Sequence, residues 1–80
     1  MDKELQEYYE TLLDLFSSKG WKQYIEDISD NMEILQDITT ISDEKQFWFR
    51  RGQIEALQRV LSYESAIKNS YEDFEREQYA

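Results

Sequence analysis

Four carboxylates come closest to forming a chemical site in this sequence. Glu26, Asp30, Glu33 and Asp37 are spaced at i, i+4, i+7 and i+11, so on a helix they share one face. Such oxygens suit hard divalent cations, but calcium needs six to eight ligands wrapped around it, which a straight helix cannot supply. A di-iron bundle needs Glu-x-x-His, and the chain has no histidine. We interpret this acidic stripe as a solvated helix face that holds neither metal nor cofactor.

The absence of whole residue types argues against catalysis. The 80 residues include no histidine and no cysteine, which removes the usual general base, the thiol nucleophile and the ligands of most zinc and copper sites. The net charge of −9 disfavours nucleic acids and anionic membranes, because both are bound through cationic surfaces. We therefore expect a non-enzymatic protein that acts through contact with another protein.

The second cluster is the run Phe47–Gln53, which places three consecutive aromatic residues beside two arginines. Trp48 falls outside the apolar stripe of its helix, near Arg51 and Arg59. An exposed tryptophan beside arginine is typical of an interface hot spot. Two alternatives stay open at this point. A neighbouring helix can cover Trp48 while the arginines pair with carboxylates of other helices, and an RNA site with stacking aromatics also fits locally.

Helices must position these clusters. The chain has no proline and only two glycines, so little interrupts a helix. Apolar residues at helical spacing predict three helices. We expect an all-α fold in a single domain over residues 1–80, either a helical bundle or an antiparallel rod, with helices at about 3–18, 21–39 and 43–77.

Three residues are expected to shape these helices. Gly20 suits the left-handed position after the first helix. Ser42 is a natural N-cap for the third, with acidic residues following it. Gly52 lies in the middle of the third helix, where glycine is unfavourable, and we expect it to permit close approach of another helix.

The third helix is too long for a simple three-helix bundle. About 35 residues extend for about 50 Å, nearly the summed length of the first two helices. Its apolar stripe drifts around the helix and continues past the half that folded-back neighbours would cover. Either helix 1 lies end to end with helix 2 along it, or a second chain covers the stripe. We expect self-association or a protein partner here, through Trp48, Arg51, Arg59, Tyr63, Ile67, Tyr71 and Phe74.

The sequence also carries expectations about location. No stretch approaches the roughly 20 apolar residues of a membrane span, and the acidic start lacks the pattern of a signal peptide. The absence of cysteine fits a reducing compartment. We expect a soluble protein in the cytoplasm of a host cell or associated with a virion.

A resemblance adds to this interpretation. Gly20-Trp21-Lys22 before an acidic amphipathic helix, then Asp43-Glu44-Lys45 and Phe49–Ile54 with a leucine-rich continuation, resembles small acidic helical proteins encoded by tailed bacteriophages. Genes for such proteins often lie among virion-structure genes. The resemblance implies an accessory or assembly role, with no reaction and no catalytic residues. A second hypothesis is an acidic inhibitor whose carboxylate stripe imitates the phosphates of nucleic acid.

Overall fold

A computed structural model describes residues 2–79, with the backbone alone described at Tyr79. It contains helices α1 (Lys3–Ser17), α2 (Lys19–Leu35) and α3 (Glu44–Tyr79), with a short 3₁₀ turn at Ile38–Thr40. No strand occurs among these residues. The expected all-α fold with a long third helix is confirmed.

The first two helices lie end to end, both antiparallel to α3. Near the start of α1, the ring of Tyr9 lies 5.5 Å from that of Tyr71 and 5.6 Å from that of Phe74. At the end of α1, the ring of Phe16 lies 5.8 Å from that of Tyr63. The α2 helix then follows α3 back towards its first turns. The result is a rod with Cα extents of 54 × 26 × 16 Å.

Ser18 alone separates α1 from α2. Its extended backbone ends α1, and its N–H donates to the Leu15 carbonyl at 3.0 Å. Its hydroxyl oxygen accepts from the Trp21 N–H at 3.2 Å and so caps α2. The expectation that Gly20 adopts a left-handed conformation after α1 is wrong: Gly20 lies inside α2, and no described glycine has positive φ. The serine cap starts α2 two residues before the predicted position.

The start of α3 also differs from expectation by one residue. The Asp43 carboxylate accepts from the Gln46 N–H at 2.7 Å, so Asp43, and not Ser42, caps this helix. The Gln46 side chain reaches back and accepts from the Ser42 N–H at 3.1 Å and from its hydroxyl at 2.9 Å. This arrangement resembles a capping box, except that the Gln46 side chain binds the residue before the N-cap and not the N-cap itself.

The apolar seam of α3 changes phase where its partner changes. On α2, the less exposed residues that face α3 are three or four positions apart. The less exposed residues of α3 follow the same spacing up to Glu64. Seven-residue spacing after Leu61 would place Lys68 in the seam, yet Ile67 lies there and Lys68 is exposed. A shift of one residue turns the seam by about 100°. This shift lies at the level of Ser18, where the helix that packs against α3 changes from α2 to α1. This accounts for the drifting stripe in the sequence.

The core is thin because only two helices meet at any level of the rod. Among the residues whose side chains the structure describes, four are almost fully buried: Phe16, Ile28, Met32 and Phe74. Phe74 is 9% exposed, and Ile67 and Tyr71 are half-buried. Of the two ways of covering this stripe that the sequence left open, the structure shows the first: α1 lies end to end with α2 and packs on this part of α3, through Tyr9 against Tyr71 and Phe74.

We predict that Phe74→Ala destabilises the protein by about 3 kcal/mol, the usual effect of deleting a buried phenylalanine. Phe74 packs against Tyr9, so the substitution removes part of the contact that holds α1 on α3. Chemical denaturation followed by circular dichroism measures the change. Glu75→Ala, at the exposed neighbouring position, is the control and should change stability by less than about 0.5 kcal/mol. Equal effects of the two substitutions would contradict this placement of α1.

Gly52 does not mark a close approach between helices of this chain. A Cβ atom built on it meets nothing within 4 Å, so the expected close packing is wrong. Gly52 is exposed and lies in the interior of α3, where glycine costs backbone entropy without a packing benefit.

We therefore predict that Gly52→Ala raises the free energy of unfolding by about 0.5–1 kcal/mol. Urea denaturation measures this directly. The control is Ala56→Gly, one turn further along the same helix, which should lower stability by a similar amount. A decrease on Gly52→Ala would mean that the added methyl group meets a neighbour.

Candidate protein-binding site

An exposed aromatic surface lies at the end of the rod where α2 connects to α3. We define it by Ile38, Phe47, Trp48 and Arg51 and call it the aromatic end. Trp48 is 55% exposed, and the Arg51 guanidinium carbon lies 5.3 Å from the centre of its ring. This geometry is a cation–π contact. The alternative in which a neighbouring helix covers Trp48 does not occur in this chain.

The orientation of Trp48 is set within its own helix. The Trp48 Nε1–H donates to the Glu44 carboxylate at 3.4 Å, and the Arg51 Nε lies 3.5 Å from the Glu55 carboxylate. All these pairs are three or four residues apart, the spacing at which helix side chains meet. These contacts favour the stacked arrangement of the ring and the guanidinium, while both remain accessible.

The three consecutive aromatic residues point in three directions, because neighbours on a helix differ by about 100°. Phe47 lines a groove of about 180 Å³ together with Ile38, Ile41 and Ile54. Trp48 projects away from α2, and Phe49 lies on a third side with 70% of its surface exposed. Ile38 is 74% exposed. The aromatic end therefore combines a shallow apolar groove with a tryptophan at its margin.

One of the two arginines in the run Phe47–Gln53 has a structural role. The Arg50 guanidinium donates to the Asp37 carbonyl at 3.2 Å and to the Thr40 hydroxyl, which ties the α2–α3 connection to α3. Arg51 pairs only with an exposed carboxylate of its own helix, an interaction of little energetic weight. Arg59 makes no ion pair within residues 2–79. Arg51 and Arg59 therefore keep their charge available to a partner.

The structure does not bring the predicted binding residues into one site. Arg59 and Tyr63 lie at mid-rod, where they line a groove of about 260 Å³ with Trp21 and Val60. Tyr63 also packs edge-on against Phe16, and a hydrogen bond with the Tyr8 hydroxyl raises the Tyr63 pKa. Trp48 and Arg51 belong to the aromatic end, while Ile67, Tyr71 and Phe74 belong to the contact with α1.

The acidic stripe is shorter than predicted. Glu26, Asp30 and Glu33 are exposed on α2, but α2 ends at Leu35, so Asp37 lies outside the helix. The Asp37 carboxylate caps the 3₁₀ turn. Hydrogen bonds from the Thr39 hydroxyl and N–H, together with the charge of Arg50, lower its pKa. Within residues 2–79, no group of three or more acidic residues is arranged to hold a metal ion.

Sequence reasoning missed a polar contact at the middle of the rod. The Trp21 Nε1–H donates to the Glu64 carboxylate at 2.8 Å, and the Lys68 ammonium donates to the same carboxylate at 2.6 Å. The hydrogen bond from Lys68 is the largest cause of the lowered Glu64 pKa, and that from Trp21 is the next. Because Trp21 stands just after Ser18, this contact fixes the α1–α2 junction against α3.

The lowered Glu64 pKa predicts a pH dependence of stability. Ionised Glu64 stabilises the fold above the ordinary glutamate pKa of about 4.3, and this contribution is lost as the pH falls through the lower folded-state value. Glu64→Gln keeps an acceptor for Trp21 but cannot titrate. Its free energy of unfolding should therefore fall less steeply than that of the wild type below about pH 4.3. Denaturation from pH 3 to pH 7 tests this, with the exposed Glu72→Gln as control. Equal slopes in wild type and Glu64→Gln would contradict it.

Two large apolar residues of α2 are exposed on the same flank of the helix. Tyr24 is 47% exposed and Ile34 is 67% exposed. Ile34 lines a groove of about 400 Å³ with Asn31, Gln53 and Ala56. The seven-residue spacing of Phe49, Ala56 and Tyr63 was the signal in the sequence for a second apolar face.

The chain matches no known protein family, no curated protein and no solved structure. Over residues 2–79, no helix has both the length and the apolar character required to cross a membrane.

Proposed function

We propose that this protein acts without catalysis, as a module that binds another protein through the aromatic end. The observation that carries the proposal is the exposed Trp48–Arg51 stack beside the groove of Phe47 and Ile38. Tryptophan and arginine dominate the binding energy of protein interfaces, particularly beside an apolar pocket. The local contacts of both side chains already favour this arrangement, which reduces the conformational entropy lost on binding.

The composition supports a binding role in preference to a chemical one. The sequence has neither histidine nor cysteine, and the four carboxyl groups on α2 face solvent. The general acid–base and nucleophilic roles that these residue types usually fill have no obvious candidate. The resemblance to small acidic phage proteins places the proposed role in phage biology, as an accessory or virion-associated assembly protein in the host cytoplasm or on the particle.

The alternative function is an acidic inhibitor that mimics nucleic acid. It is favoured by the solvent-facing carboxylates Glu26, Asp30 and Glu33 on one side of α2 and by the net charge of −9. An enzyme that binds nucleic acid would then meet this side of the rod, and the aromatic end would be dispensable.

One experiment separates the two functions. The immobilised chain is used to capture proteins from phage-infected cells, and the affinity of the captured protein is then measured for purified variants. Binding through the aromatic end predicts that Trp48→Ala weakens the interaction at least about thirtyfold, as a hot-spot truncation does. Arg51→Glu should weaken it as well. Combined reversal of Glu26, Asp30 and Glu33 to lysine should leave it within about threefold.

The matched control for Arg51 is Arg76→Glu. Arg76 is also exposed and also pairs with a carboxylate of its own helix, Asp73 at 3.6 Å, but it lies at the other end of the rod. A partner that is lost equally with Arg51→Glu and Arg76→Glu would not support recognition at the aromatic end. The opposite pattern, with binding abolished by reversing the α2 acids and unchanged in Trp48→Ala, would establish the inhibitor instead.

A further inference from the structure

Exposed apolar side chains lie on corresponding flanks of the three helices. Tyr8 and Leu15 of α1 are seven residues apart, as are Phe49, Ala56 and Tyr63 of α3, so each set lines one flank of its helix. The grooves place Ile34 beside Ala56, and Trp21, with Tyr24 next to it, beside Tyr63. We define this apolar face by six residues that are 37–70% exposed: Tyr8, Leu15, Tyr24, Ile34, Phe49 and Tyr63.

The two sides of the rod differ sharply. The side opposite the apolar face carries exposed acids on all three helices, including Glu10, Glu26, Glu33 and Glu55. Contiguous exposed apolar surface of this extent marks an interaction site in soluble proteins. A stable interface buries roughly 800 Å² per partner, and the whole rod, with Cα extents of 54 × 26 × 16 Å, is long enough for a side-by-side contact of that size.

We propose that the apolar face binds a second copy of this chain, giving a four-helix cross-section with a two-fold axis parallel to the rod. The charges at the edges of the face support a second copy. Arg59 stands on the α3 edge and Asp27 on the α2 edge. Trp21 lies level with Tyr63, and Asn31 with Ala56. Asp27 and Arg59 each lie between those two levels on their own helix, so they are at similar heights along the rod.

A two-fold axis parallel to the rod keeps heights unchanged and exchanges α2 with α3. It therefore sets Arg59 of each copy opposite Asp27 of the other, forming two equivalent ion pairs. The same operation places Ile34 over the Gln53–Ala56 turn of the second copy and Tyr24 over Tyr63. A two-fold axis across the rod would instead stack α3 on α3 and bring the two Arg59 side chains together, which like charges oppose.

Mass measurement with matched variants tests the proposal. Sedimentation equilibrium across 1–500 µM should give two chains for the wild type. Ile34→Glu should give one chain at the same helicity. The control is Ile38→Glu, since Ile38 is equally exposed but lies off the apolar face, and its variant should remain two chains. A wild type that stays at one chain throughout, or the same mass for both isoleucine variants, would overturn the proposal.

Charge exchange tests the symmetry. Arg59→Asp and Asp27→Arg should each raise the dissociation constant about tenfold or more, and the double variant should restore it to within about threefold of the wild-type value. Failure of the exchange to restore association would refute the parallel two-fold axis.

Although this inference extends the proposed function, the two can fail separately. Trp48→Ala should keep the mass of two chains while losing the captured partner. Ile34→Glu tests the apolar face without altering the aromatic end. A single-chain wild type that still binds its partner through Trp48 would refute the second copy and leave the proposed function standing.

Discussion

The length of α3 is the constraint on which the rest of the structure depends. Its 36 residues extend for about 54 Å, and neither α1 nor α2 is long enough to cover them. Helices α1 and α2 therefore lie in line along α3 and are separated by one residue, Ser18. The hydrogen bond from Trp21 to Glu64 holds this junction against α3. The seam of α3 turns at the same level, because its partner helix changes there.

A rod two helices wide cannot enclose its apolar residues. Each helix presents only one flank to its neighbour, so the side chains on the adjoining flanks stay open to solvent. This explains why only four side chains among the described residues are almost fully buried, although 40% of the residues in the sequence are hydrophobic. A chain this short also buries a smaller fraction of its extended surface on folding than a larger domain does. The remaining apolar flank is therefore available for association without any rearrangement of the fold.

Helical periodicity made the all-α fold and the long third helix predictable, since it depends only on the order of residues. The sequence left open whether α1 and α2 fold back on each other or lie end to end, because a serine between two helices is compatible with either arrangement. The contact of α1 with Phe74 could be predicted only once that arrangement was known. The Trp21–Glu64 contact joins residues 43 positions apart, and no local pattern indicates it. The place of Trp48 on the helix circumference excludes it from the seam, but the sequence left open whether another helix covers it. Its exposure follows from a rod that is only two helices wide.

The two proposed surfaces are compatible in geometry. A two-fold axis parallel to the rod leaves the aromatic ends of both copies at the same end of the assembly, side by side and free of the contact between copies. Two identical binding ends facing one way favour a partner that is itself repeated, because the second contact then forms at high effective concentration. A repeated surface is what an assembling particle offers. Weak individual contacts at Trp48 would then suffice for firm attachment to an array, while single partner molecules would be released quickly.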